Sequence, residues 1–198
     1  YALHVAVAVE TMGYSLKDMM LGAEFDLKYG RWLRSLVFEY IYTKYQSGPY
    51  NHDHTQNIGD HIAGMDDYYN HSIYTGWQHW GQVIGNPLYR SPIYNKDGTI
   101  EVRNNRFYAF HLGMEGSPTE RFDYRVLTTY QKGWGTYGSP FTKAYRNFSF
   151  LLEAKYRFNH DWTVKGGYAM DFGSEKMYGH NAGFQLTVTK SGLLTKKK

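Results

Sequence analysis

The chain has 198 residues, enough for one substantial domain and short for two, and 18% of them are aromatic (Tyr 20, Phe 11, Trp 5), with 21 glycines besides. Its longest unbroken apolar run, residues 5–9, falls far short of the roughly 18 residues a membrane-spanning helix needs, which excludes a helical membrane protein and leaves β-proteins, soluble or membrane-embedded. The net charge of +4 comes largely from Lys196, Lys197 and Lys198, so the body of the chain has no nucleic-acid footprint, and the lack of cysteine excludes a disulfide scaffold, a thiol nucleophile and thiolate metal sites.

The dominant signal is an alternation of period two, which predicts strands with one apolar and one polar face. The pattern begins at Tyr1, with no initiator Met or signal-like segment ahead of it, so a processed form or a fragment is expected. Over 1–10, Tyr1, Leu3, Val5, Val7 and Val9 oppose Ala2, His4, Ala6, Ala8 and Glu10. Over 21–29, Leu21, Ala23, Phe25, Leu27 and Tyr29 oppose Gly22, Glu24, Asp26 and Lys28. In 31–45 the apolar face is Trp32, Leu36, Phe38, Tyr40 and Tyr42, interrupted by Arg34, whose long stem suits a membrane boundary. Five further alternating segments follow at 106–115, 122–131, 148–158, 162–172 and 182–189.

Each segment is close to the roughly 9–11 residues that a tilted strand needs to cross hydrocarbon. Connections at Gly30, 116–121 and 159–161 read as tight, and those at 11–20, 46–105, 132–147 and 173–181 as longer. Aromatics gather near strand ends on the apolar side (Trp32, Tyr42, Tyr108, Tyr130, Phe148, Trp162 and Phe172 among them), as interfacial girdles require. These features predict an all-β, antiparallel transmembrane outer-membrane β-barrel over 1–198, with about eight strands and a loop excursion at 46–105. The competing fold is a soluble β-sandwich, whose core would place its aromatics mid-strand. In the barrel, Glu24, Asp26, Glu39, Arg125, Glu153, Lys155, Lys165 and Asp171 line the lumen.

The excursion breaks the period and is rich in Gly, Pro, His and aromatic residues. It contains Tyr69–Asn70, Tyr74–Thr75–Gly76–Trp77, Gly81–Gln82–Val83–Ile84–Gly85–Asn86–Pro87–Leu88 and Ser91–Pro92, with Asn104–Asn105–Arg106 after them. Downstream come His111–Leu112–Gly113, Gly116–Ser117–Pro118, Tyr124–Arg125, Trp134–Gly135–Thr136–Tyr137 and Lys190–Ser191–Gly192. Together these blocks resemble the second half of Wzi-type capsule-assembly proteins in their Bacteroidetes form, over about residues 65–192. The resemblance implies a non-catalytic lectin in the outer membrane of a Gram-negative cell, attaching or assembling capsular polysaccharide. It also implies a larger barrel of which this chain is the C-terminal portion, with the remaining strands or partner chains beside it.

Sugars are held by flat aromatic faces, which match the C–H patches of pyranose rings, and by planar polar groups that bond hydroxyls. On that chemistry Trp77, Trp80, Tyr69, Tyr74, Asp67, Asn86 and Arg90, with Trp134 and Tyr137 of a neighbouring loop, form the candidate saccharide surface. The same aromatics would also serve to pack the excursion against the barrel mouth. His52–Asp53–His54, Asp60–His61 and His71 suggest a metal site, but their spacing is not diagnostic and without a third fixed ligand they read as solvated loop histidines; Asp60–His61 with Asp66–Asp67 resemble the paired acids of omptin hydrolases, but lie within seven residues of one loop. No cofactor, metal or catalytic residue is expected. Partners are surface polysaccharide and outer-membrane lipid; the alternative function is a porin or channel, with the loop constricting the pore.

Overall fold

The computed structural model describes residues 3–11, 18–27, 30–45, 69–70, 76–158 and 161–192. Eight strands form one antiparallel sheet: β1 (Leu3–Thr11), β2 (Met19–Leu27), β3 (Ser35–Tyr42), β6 (Phe107–Thr119), β7 (Phe122–Gly135), β8 (Pro140–Arg157), β9 (Trp162–Gly173) and β10 (His180–Lys190). Between β3 and β6 lie a two-stranded hairpin, β4 (Gln78–His79) with β5 (Gln82–Val83), and a single 3-10 turn at Pro92–Tyr94. Apart from β3 and β6, which the β4–β5 hairpin separates, neighbours in the large sheet are consecutive in sequence. The sheet is open, with β1 and β10 as its two edges. Among the described residues no helix is long and apolar enough to cross a membrane.

The register explains why alternation in the sequence becomes two continuous faces. Tyr40, Phe110, Tyr130, Phe148 and Phe172 are cross-strand partners in one row of the apolar face, and the rings of Tyr40 and Phe110 lie 5.0 Å apart. The next rows carry Phe38, Leu112, Thr128, Phe150 and Met170, then Leu36, Met114, Val126, Leu152, Tyr168 and Phe184. Much of this face is exposed, Phe110, Leu152, Phe172, Phe184, Leu186 and Val188 included. Large aromatics and β-branched residues favour the pleated strand, so propensity and period agree here.

The buried core is elsewhere. Tyr89, Val102, Phe107 and Ala109 pack together with Ile41, Tyr69, Val83 and Leu88. Phe107 and Ala109 alternate with Tyr108 and Phe110, and so belong to the polar face. The described part of the excursion, 69–70 and 76–105, therefore folds down onto the loop-side end of the polar face and is sealed there by apolar residues.

Three connections differ from the predicted ones. β8 begins at Pro140, so 136–139 is a short connection where 132–147 reads as a long loop. The upper part of β8 has no apolar alternation: Arg146 and its partner Lys132 stand in the row above Phe148 and Tyr130, and the register shifts beyond Gly133, while on the polar face Asn147 and its partner Gln131 are both buried. β6 runs to Thr119, which pairs with Phe122, so the tight turn is Glu120 and Arg121 and Gly116–Ser117–Pro118 lies within the strand beside a register shift. Finally, β3 begins at Ser35, and the segment before it docks on β6, with Arg34 N donating to Glu115 O at 2.8 Å and Ser117 N to Arg31 O at 2.8 Å.

Candidate functional site

The excursion is held by side chains that satisfy its backbone, as a buried loop must be. Asn70 bonds both backbone groups of Val102, accepting from its N–H at 2.8 Å and donating to its carbonyl at 2.9 Å. Gln131 of β7 donates to Leu88 O at 3.0 Å, and Tyr178, in the turn after β9, donates its hydroxyl toward Leu88 O at 2.9 Å and Pro87 O at 3.1 Å. The Gly85–Asn86–Pro87–Leu88 block is thus clamped from β7 and from the β9–β10 turn. Burial pushes the Tyr178 and Tyr89 hydroxyls above the ordinary tyrosine range.

The β4–β5 hairpin projects the two excursion tryptophans: Trp77 is 73% and Trp80 86% exposed. Its two turn residues, Trp80 (φ 51) and Gly81 (φ 72), are both left-handed, the geometry of a tight hairpin turn that normally takes Asn-Gly. A tryptophan there pays a steric cost of order 1 kcal/mol for its Cβ. The turn leans on the 3-10 segment through Ile93 N to Gly81 O at 2.9 Å, and Val83 N donates to Ser91 Oγ at 3.0 Å. The hairpin is braced, and its indoles stand clear of the brace.

The other predicted saccharide residues divide between packing and surface. Tyr69 belongs to the excursion core, its ring 4.3 Å from that of Tyr89 and its hydroxyl donating to Ile84 O at 3.2 Å. Asn86 accepts from Leu88 N at 2.9 Å, shaping its own turn. Tyr137 lies under the Arg106 guanidinium at 3.8 Å. Trp134 is on the apolar face, 5.7 Å from Tyr108 and capped by Lys44 at 4.7 Å, so the structure separates it from Trp77 and Trp80. Arg90 donates to Tyr94 O at 2.6 Å and lines a loop-side cleft of about 340 Å³. That cleft adds residues the sequence did not single out, Glu101, Arg103, Phe141, Tyr145 and Glu175, with Phe141 and Tyr145 edge-to-face at 5.2 Å. Tyr74 and Asp67 lie outside the described residues, as do the histidines at 52, 54, 61 and 71 with the nearby acids Asp53, Asp60 and Asp66.

At the short-turn end the polar face carries a charge network. Glu153 receives Arg125, whose Nε donates at 2.6 Å, and Lys165 at 2.5 Å. Asp123 is shared by Arg157, Lys155 at 3.6 Å and the Ser117 hydroxyl at 2.9 Å. Arg34 reaches Glu115 at 3.5 Å, so it joins this network rather than interrupting the apolar face. Together these groups wall a trough of about 470 Å³. Glu24 accepts from Ser35 at 3.4 Å in an adjoining hollow, and Asp171 accepts from Ser149 at 2.5 Å nearer the loops. Asp26 and Glu39 pair with Ser35 and His111 across the same face.

Among the described residues no three His, Asp or Glu side chains gather as a metal site. The chain matches no family model, no curated protein and no solved structure.

Proposed function

We propose that this chain is part of a β-barrel in the outer membrane of a Gram-negative cell, and that its loop-side surface binds capsular or related surface polysaccharide without catalysing a reaction. The membrane part of the reading rests on the exposed apolar face, bounded at the loop side by the row from Tyr40 to Phe172. The observation that carries the lectin is Trp80: a bulky residue kept in left-handed backbone at a turn tip, 86% exposed, gains nothing for the fold from that position. An indole presented in this way suits stacking on a pyranose ring. The resemblance to Wzi-type proteins points the same way.

Tryptophan fluorescence of the detergent-solubilised chain, titrated with purified capsular polysaccharides, tests the reading. Saturable quenching that Trp77→Ala and Trp80→Ala both lose is expected; a flat titration by folded protein overturns it.

A channel is the second reading, favoured by the excursion resting on the polar face above a row of charges. In planar bilayers it requires ion conductance whose selectivity shifts on Arg125→Glu.

A further inference from the structure

We infer that the trough at the short-turn end of the polar face is an oxyanion site, taking a carboxylate or phosphate group beside Lys155 and Lys165. The argument begins with register. Lys155 and Lys165 are direct cross-strand partners, an arrangement that costs stability because like charges face each other. The two carboxylates near them are each already shared by two cations, Asp123 by Arg157 and Lys155, Glu153 by Arg125 and Lys165. The trough therefore keeps a positive excess, five basic side chains to three carboxylates.

The excess is also uneven. All three acids, Glu115, Asp123 and Glu153, are on β6, β7 and β8. Toward β9 and β10 the lining is Lys165 with the hydroxyls of Thr163, Thr187 and Thr189. Thr187 is the cross-strand partner of Lys165, and Thr163 pairs with Thr189 one row away, so two ammonium groups and three hydroxyls share one patch. Ammonium and hydroxyl groups lining one trough are the donors a compact oxyanion needs, and charge-assisted bonds are the strong ones. A second anion would also relieve the Lys155–Lys165 repulsion, so binding and fold stability favour the same occupant.

The site is independent of the tryptophan hairpin and goes beyond the polysaccharide reading. Its test is calorimetric titration of the detergent-solubilised chain at low ionic strength with inorganic phosphate, D-glucuronate and, as a neutral control, D-glucose. One or both oxyanions bind saturably and glucose does not: phosphate alone identifies a phosphate group as the occupant, glucuronate alone a uronic-acid carboxylate. Lys155→Gln with Lys165→Gln weakens binding by roughly tenfold or more, and the two Lys→Arg changes retain it. Because Arg157 still pairs Asp123 and Arg125 still pairs Glu153, the glutamine variants keep every trough carboxylate partnered. Trp80→Ala leaves oxyanion binding unchanged, so failure here is distinct from failure of the lectin. No heat with either oxyanion, or a folded double variant that binds like wild type, overturns the assignment.

Discussion

Leu152→Arg set against Ala169→Arg discriminates a lipid-facing apolar face from one covered by protein or water. The two sites lie at nearly one height, since Leu152 pairs with Tyr168 and Leu151 with Ala169, but Leu152 is on the apolar face and Ala169 on the polar one. Phe148 and Tyr156 bracket Leu152 on its own strand. At about 3.3 Å per residue they are about 26 Å apart along β8, or roughly 20 Å along the normal for a strand tilted by about 40°. On the membrane reading Leu152 lies near the hydrocarbon midplane, where an arginine costs about 2–4 kcal/mol, a factor of roughly 30 to 900 in the folding equilibrium. Ala169 is exposed and faces the polar side, where an arginine costs within about 0.5 kcal/mol. Urea unfolding in phospholipid vesicles, followed by tryptophan fluorescence, measures both. Equal destabilisation by the two substitutions would refute a membrane-facing apolar surface.

Trp80→Asn places a residue suited to left-handed backbone at the hairpin tip. It is expected to stabilise the excursion by a few tenths to 1 kcal/mol in thermal melts while abolishing the polysaccharide response. Tyr178→Phe removes the hydroxyl that holds Pro87 and Leu88. Hydrogen exchange in 81–90 is expected to accelerate, with about 1 kcal/mol lost from the local opening free energy. Asp97 is held down to about 2, first by its hydrogen bond from Arg103 and then by Thr99. A folded-state value below the ordinary 3.8 means that this stabilisation is complete above that pH and is lost as pH falls through about 2. Carbon-detected NMR titration of Asp97 reads it, and Arg103→Gln returns the carboxyl toward its ordinary value.

The eight strands were legible because a period of two survives wherever one face is polar and open. The signal failed where the polar face is roofed. Phe107 and Ala109 read as ordinary polar-face positions, yet the excursion covers them and makes them core. Residues 140–147 read as loop because Arg146, opposite Lys132, breaks the apolar row above Phe148 and the register shifts beyond it. Trp134 was readable: continuing the register from Tyr130 through Lys132 puts it on the apolar face, beside Tyr108. Apart from Arg34, the trough's charges followed from parity alone. The sharing of each acid by two cations did not, because it depends on which strands are neighbours. Arg34 was misread because the segment before Ser35 is not strand, and alternation carries no information there.

The covered polar face also bears on how such a sheet would close. An eight-stranded barrel has an interior just wide enough for its own side chains. Here the upper polar face carries a further layer of chain: Tyr89 meets Phe107 at 5.0 Å, and Leu88 rests on Gln131. Pairing β1 with β10 in one tight ring would have to accommodate that layer beside the ring's own side chains. The edge strand argues likewise. β10 is exposed on both faces, and the apolar rows run out to it at Phe184, Leu186 and Val188. In hydrocarbon the edge's N–H and C=O groups must also find partners. Within the membrane reading, both constraints are met by further strands that continue the row beyond β10 and widen the barrel around the excursion.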